Sequence, residues 1–202
     1  MQITEMIEAV QRRLQVQVDG KAGAETWGAI YAALVDPGSL GAAPRMAIAA
    51  VDAGSERHIA SLLPEVQPLA RALVQKAAAN GINIRIISGL RSYAEQEALY
   101  ARGRTAPGPR VTNARAGHSN HNFGIAFDVG VFSGNRYLPE SPKYRAVGVL
   151  GMDLGLEWGG NWTSFVDQPH FQLRPAWAAA LPEREMLAAL RRRVAEQLPV
   201  FA

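Results

Sequence analysis

Apolar positions at the start of the chain recur at helical spacing. Ile3, Met6, Ile7, Val10 and Leu14 fall on one face of a predicted helix over 3–14. Asp19-Gly20 is a turn signal, and 24–34 predicts a second short helix with Trp27, Ile30, Tyr31 and Leu34 on one side. Periodicity then vanishes in DPGSLGAAP, residues 36–44, whose Pro, Gly and small residues read as a linker. Two short helices have little core of their own. The pattern therefore predicts a small helical module at 1–36, a linker at 37–45, a main domain at 46–180 and a terminal helix at 181–202.

In the main domain, Leu69, Leu73, Val74 and Ala77 stripe a helical stretch over about 56–80, punctuated by Pro64 and Pro68 and ended by Asn80-Gly81. INIRIIS (82–88) reads as a β-branched strand with Ile82, Ile84 and Ile86 on one side. Ser92 and Glu95 have capping-box spacing for a helix over 93–102, which Gly103 stops. Residues 103–117 lack any period and predict a long loop of the kind that often carries function. IAFDVGVF (125–132) predicts a strand, 143–156 a helix and PHFQL (169–173) a short strand. Pro182 opens the terminal helix, with Met186, Leu187, Leu190, Val194 and Leu198 apolar. Its acidic start (Glu183, Glu185) and basic end (Arg191, Arg192, Arg193) suit the helix dipole. Segregated helices and short strands argue for an α+β fold: a small antiparallel sheet flanked by helices, plus the N-terminal helical module.

Composition narrows the chemistry. The 202 residues are 48% hydrophobic and 19% charged, as in an ordinary globular chain. The absence of cysteine excludes disulfides and thiolate metal sites, so any metal must be held by carboxylates and by His58, His118, His121 or His170. A net charge of +3 is a mild bias toward acidic partners and, without a motif, points to no nucleic acid. No apolar run approaches the roughly 20 residues that span a bilayer, so no membrane insertion is expected.

The strand IAFDVGV carries one odd residue, Asp128. A buried carboxylate needs a cation or hydrogen-bond donors. Seven residues earlier lies His121, and Gly124 between them permits a sharp entry into the strand. DQPHF (167–171) supplies His170 and, three residues before it, Asp167. His121, Asp128 and His170 would give a hydrolytic zinc site its three protein ligands and leave a fourth position for water. Asp167 is then the expected general base, a role that typically adds about 10²–10⁴-fold in rate. Each residue also has a plain structural reading: a lone histidine can be satisfied in a core, and Asp128 can cap a turn or pair with arginine. His118 competes with His121, but it lies farther from the strand in the long loop; His58, in the polar stretch GSERH, is expected at the surface. Arg91, in SGLRS, could steady a developing oxyanion or make a structural salt bridge. Trp158, Trp162 and Tyr137 could line a groove or pack in the core, and Trp158 is expected on the substrate side.

SNHNFGIAFD (119–128) resembles Ser-x-His-x-x-Gly-x-Ala-x-Asp, the first zinc motif of the D-alanyl-D-alanine carboxypeptidase and L-alanoyl-D-glutamate endopeptidase family. DQPHF is similar to its second motif, and SGLRS with Gln96 to its arginine segment, over roughly residues 46–178 in unbroken order. The resemblance implies one zinc ion at His121, Asp128 and His170, Arg91 at the substrate carbonyl, Ser119 and Gln96 among the substrate-binding residues, and hydrolysis of peptidoglycan stem peptides. The carboxypeptidase branch typically has Glu-x-x-His in its second motif. Asp167-x-x-His170 looks instead like the endopeptidase branch of phage endolysins, which cut between L-alanine and D-glutamate. VQRRLQVQVDGKAGAETWGAI (10–30) resembles a helical peptidoglycan-binding module with the signature Asp19, Gly20, Gly23, Thr26, in a form shorter than usual.

The expected activity is thus a monomeric zinc endopeptidase of peptidoglycan, of the phage or prophage endolysin kind. A D-alanyl-D-alanine carboxypeptidase and a non-catalytic, zinc-containing wall-binding protein are the alternatives. MQITEMIEAVQRR lacks the apolar core of a secretory signal, so the expectation is synthesis in the cytoplasm and release through a holin-made hole or by specialised export.

Overall fold

The computed structural model describes residues 3–14, 18–23, 26–27, 30 and 51–202. The predicted linker and most of the second helix, including Tyr31 and Leu34, lie outside the described residues. The chain divides into two compact units, Met1–Ala47 and Ile48–Ala202.

In the first unit, α1 (Ile3–Leu14) forms as its period predicts, but a different face is buried. Ile3, Met6 and Val10 are exposed, and the one buried residue of α1 is Gln11. Its side chain accepts from the backbone N–H groups of Asp19 (3.1 Å) and Gly20 (3.0 Å). It donates to Asp19 Oδ1 (2.7 Å) and Thr26 Oγ1 (2.9 Å). Apolar periodicity cannot register an amide that supplies what a tight turn leaves unpaired. Asp19, Gly20 and Thr26 of the Asp-Gly-x-x-Gly-x-x-Thr spacing therefore clamp Gln11.

The second unit is an antiparallel sheet with helices against one face. Its helices are α2 (Ala53–Ala60), α3 (Gln67–Ala79), α4 (Tyr93–Ala101), α5 (Lys143–Met152) and α6 (Glu183–Ala195). The strands are β1 (Ile84–Ser88), β2 (Ala126–Ser133), β3 (Arg136–Tyr137), β4 (Glu157–Trp158) and β5 (His170–Gln172). The order is β1-β2-β5-β4, with β3 paired to the far end of β2. Asp52 caps α2, Pro68 lies in the first turn of α3, and the Ser92–Glu95 capping box is fully made.

Strand alternation sorts the two faces. Phe127, Val129 and Val131 point into a core with Ile84, Ile86, Phe171 and the α2, α3 and α5 residues Ile59, Leu73 and Val147. Phe127 and Phe171 are cross-strand partners and stack at 5.9 Å between ring centroids. Asp128, between Phe127 and Val129, must then lie on the opposite face, and so must His170 and Gln172 on either side of Phe171. A second cluster joins Phe123 and Ile125 to Met186, Leu187 and Leu190, so α6 packs on the segment leading into β2. Val194, in the last turn of α6, and Leu198, beyond its end at Ala195, stay exposed.

Candidate metal centre and catalytic pocket

Three neighbouring strands bring the site together. Ser88 pairs with Asp128 across β1 and β2, after a register shift that follows Ile86, and Asp128 pairs with His170 across β2 and β5. His121 arrives from a short 3-10 turn, Asn120–Phe123. Gly124 closes that turn in the left-handed region at φ 68°, and its carbonyl accepts from Leu63 N–H at 3.0 Å. A side chain there would be strained.

His121 Nε2 lies 3.3 Å from Asp128 Oδ1, and His170 Nδ1 lies 3.4 Å from the same oxygen. One donor atom from each of the three residues falls within 4.8 Å of the others. The hydrogen-bond pattern fixes both tautomers. His121 Nδ1 faces the Gly89 carbonyl at 2.8 Å, and a carbonyl only accepts, so Nδ1 carries the proton. His170 Nε2 faces Gln172 Oε1 at 2.9 Å. That oxygen is an acceptor because Gln172 Nε2 donates to Glu157 Oε2 at 2.6 Å. Each imidazole thus turns a bare lone pair toward a carboxylate. Three acceptors converging on one point repel each other unless a cation or a proton sits among them.

The arrangement fits a divalent ion. Tetrahedral zinc, with bonds of about 2.0–2.2 Å, sets its ligand atoms roughly 3.4 Å apart. Two of the three separations, 3.3 and 3.4 Å, match such edges, and the three atoms all lie within 4.8 Å of one another. Burial alone would raise the Asp128 carboxyl, but the imidazoles of His121 and His170 outweigh it and hold the pKa well below the ordinary carboxylate value. Burial would likewise lower His170; the hydrogen bond and charge of Asp128 reverse this, and its pKa is raised.

The cluster opens into a cavity of about 290 Å³ lined by Arg91, Ser119, Trp162, Phe165 and Asp167, among others. A larger cavity of about 500 Å³ shares Arg91 but none of the three converging side chains.

A family model described as "D-alanyl-D-alanine carboxypeptidase" matches residues 112–173, which include all three side chains. The chain is 38% identical over 126 residues to the peptidoglycan L-alanyl-D-glutamate endopeptidase CwlK of Bacillus subtilis (strain 168), covering 56% of this chain and 74% of that protein. The chain belongs to this family of zinc peptidases. It is also 28% identical over 118 residues to an L-alanyl-D-glutamate peptidase of Listeria phage A118, covering 57% of this chain and 39% of the phage protein. Among solved structures it is similar to the Serratia marcescens L-Ala D-Glu endopeptidase ChiX, at 25% identity and a TM-score of 0.48, over 65% of this chain and 95% of that one.

In this family member, Asp167 reaches the pocket from the turn before β5. Its backbone N–H donates to Gly159 O at 3.0 Å and its own carbonyl accepts from His170 N–H at 3.2 Å. Burial, and after it the charge of Asp128, raises the Asp167 carboxyl above the ordinary value. Arg91 donates to Gln96 Oε1 (2.9 Å) and Ser88 Oγ (3.1 Å), and its guanidinium is 3.6 Å from Asp128 Oδ2. The salt-bridge reading of Arg91 has its partner in the cluster, Asp128.

Two expected substrate-side residues are elsewhere. Gln96 has no exposed surface; its Oε1 accepts from Arg91 at 2.9 Å and its Nε2 donates to the Ala114 carbonyl at 2.6 Å. Trp158 is buried, its ring against Gly148 and Gly160 and its Nε1 donating to Gln168 O at 2.8 Å. Trp162 lines the pocket instead, 4.8 Å from the His170 ring. Ser119 lines the pocket, and His118 lies on its wall rather than in the cluster. His58 is half-buried in α2, not fully at the surface. Sequence reasoning missed Asn120, Glu157, Gln172, Arg174 and Glu183, polar residues linked on the Nε2 side of His170, of which Asn120 and Glu183 also line the cavity.

Proposed function

We propose that the chain is a zinc-dependent endopeptidase of peptidoglycan stem peptides that hydrolyses the L-Ala–D-Glu bond. The observation that carries this reading is the convergence of His121, Asp128 and His170 in the lining of a cavity that also holds Asp167 and Arg91. His121 Nε2, Asp128 Oδ1 and His170 Nδ1 would hold one zinc ion. Such an ion polarises a carbonyl and lowers the pKa of water to about 7.

The remaining work falls to the chain's own residues. Asp167 takes a proton from the attacking water and delivers it to the departing amine of the cut bond. Its raised pKa suits both transfers. Arg91, locked by Gln96 and Ser88, faces the substrate oxygen as negative charge develops on it. Trp162 and Phe165 give the pocket an apolar wall against the stem peptide, and Ser119 offers a hydroxyl at its rim. The names of the bacterial and phage relatives support the choice of bond. Service as a phage or prophage endolysin is part of the same proposal, supported by the phage relative. Residues 1–36 are proposed as a peptidoglycan-binding module built on the Gln11 clamp.

Mass spectrometry of muropeptides digested by the protein, with zinc stripped and then restored, tests the reading. The expected product is a peptide with a new D-glutamate amino terminus, formed only when zinc is present. Release of free D-alanine with the L-Ala–D-Glu bond intact would assign the chain to carboxypeptidase action instead.

A further inference from the structure

Behind His170 the polar side chains close into a ring. Gln172 Oε1 accepts from His170 Nε2 (2.9 Å) and from Asn120 Nδ2 (2.5 Å). Asn120 Nδ2 also donates to Glu183 Oε1. Glu183 Oε2 accepts from the Arg174 guanidinium at 2.7 Å. Arg174 Nε donates to Glu157 Oε1, and Glu157 Oε2 accepts from Gln172 Nε2 at 2.6 Å. Every member comes from a different piece of the fold: β5, the His121 turn, the first residue of α6, the segment after β5, and β4. Arg174 and Glu183 also lie beyond residues 112–173, the part that matches the family model.

The ring has one polarity. Gln172 must show its oxygen to His170, because its nitrogen is committed to the Glu157 carboxylate, which Arg174 holds in turn. Asn120, next to His121 in sequence, ties the His121 turn to the same oxygen. Gln172 is fully buried, so water cannot substitute for a lost partner.

We propose that Gln172 is the positioning residue of His170, and that Glu183 makes the terminal helix α6 part of the metal centre's support. The ring sets which nitrogen of His170 is bare and where it points. Groups that hold the far nitrogen of a ligand histidine typically change metal affinity by about 10–100-fold when removed. This inference rests on the metal reading of the site.

The test is metal affinity, read by competition against a chromophoric chelator on the purified full chain, together with the absorption spectrum of the cobalt-loaded protein. Gln172→Leu keeps the size but removes the acceptor, and roughly 10–100-fold weaker zinc binding with an altered cobalt spectrum is expected. Glu183→Ala, which opens the ring at α6, should weaken binding in the same direction while the protein stays folded by circular dichroism. The double exchange of Gln172→Glu with Glu157→Gln keeps every hydrogen bond of the ring, reversing only the one between positions 157 and 172, still presents an acceptor to His170, and should restore affinity. A purely structural role would lower the stability of the chelator-treated protein and leave affinity and spectrum unchanged. Parent-like affinity in folded Gln172→Leu, or in folded Glu183→Ala if the former does not fold, overturns the proposal while the metal reading stands. A parent that binds no zinc sinks both.

Discussion

Asp128 and His170 are direct cross-strand partners, and the same pairing that builds the sheet puts His170 Nδ1 3.4 Å from Asp128 Oδ1. The sheet thus pre-forms two of the three corners of the metal centre before any ion arrives. A pre-formed site binds the folded state and stabilises it by mass action. At a zinc concentration about 100-fold above its dissociation constant the gain is about 2.7 kcal/mol. For a unit of this size that corresponds to roughly 5–10 °C in melting temperature. A chelator should therefore lower the melting temperature of the parent by that amount and leave Asp128→Ala unaffected. Equal shifts in the two proteins would show that the ion binds somewhere else.

Replacing Asp167 with Asn should separate chemistry from metal binding. Asp167 lines the pocket but is outside the converging triad, so bound zinc should remain stoichiometric while kcat drops about 10²–10⁴-fold. Atomic absorption and muropeptide turnover on the same preparation decide it. Undiminished turnover would remove Asp167 from the reaction.

Arg91 should not tolerate lysine. Its guanidinium spans Gln96 Oε1 and Ser88 Oγ at once, a fork that a single ammonium cannot reproduce. Arg91→Lys is expected to lose about 10²–10³-fold in kcat with zinc content preserved. Parent-like turnover would reduce Arg91 to a replaceable positive charge.

The pH dependence follows from the opposed shifts of Asp128 and His170. His170 is raised above 6.5, so its stabilising contribution in chelator-treated protein is complete below that value and is lost as pH rises through its folded pKa. Asp128 is held well below 3.8, so its contribution is present above that value and is lost as pH falls through its folded pKa. Stripped protein should accordingly be most stable between these limits and weaken toward alkaline pH. Zinc requires His170 without its extra proton, so binding should strengthen as pH rises through the raised pKa and release a proton below it. Urea melts with and without chelator, and calorimetry in buffers of different ionisation heat, measure the two effects. Zinc affinity that is flat from mildly acid to neutral pH would contradict the raised pKa of His170.

Local signals were legible wherever one short segment determines its own structure. The Ser92–Glu95 capping box, the isoleucine face of β1 and the lone carboxylate of β2 each depend on neighbours a few residues away. Strands β3 and β4 carry two residues each, too few to display a period, and exist only because β2 and β5 offer them edges. The tryptophans show the same divide. Trp158 and Trp162 are alike in sequence, but the strand position of Trp158 turns it onto Gly148 and Gly160, while Trp162 follows the turn out to the pocket. The ring behind His170 was invisible for a further reason. It joins residues up to 63 positions apart, Asn120 and Glu183, and none of them is unusual where it stands.

Gly159 offers a last test of how tightly the pocket is held. A methyl group there would meet the Asp167 carbonyl oxygen at 2.6 Å and His170 Cβ at 3.0 Å. The first contact is with backbone and cannot rotate away. The Asp167 N–H to Gly159 O bond joins the same two segments and would be strained by the same shift. Gly159 is not in the left-handed region, so alanine there carries no conformational penalty of its own. Gly159→Ala should therefore fold, yet displace the base and the ligand together. A misplacement of about 1 Å costs on the order of 10²-fold in rate, so kcat should fall by about that factor while zinc affinity weakens as well. A variant with weakened zinc binding and undiminished kcat at saturating zinc would mean that Asp167 keeps its place independently of this contact.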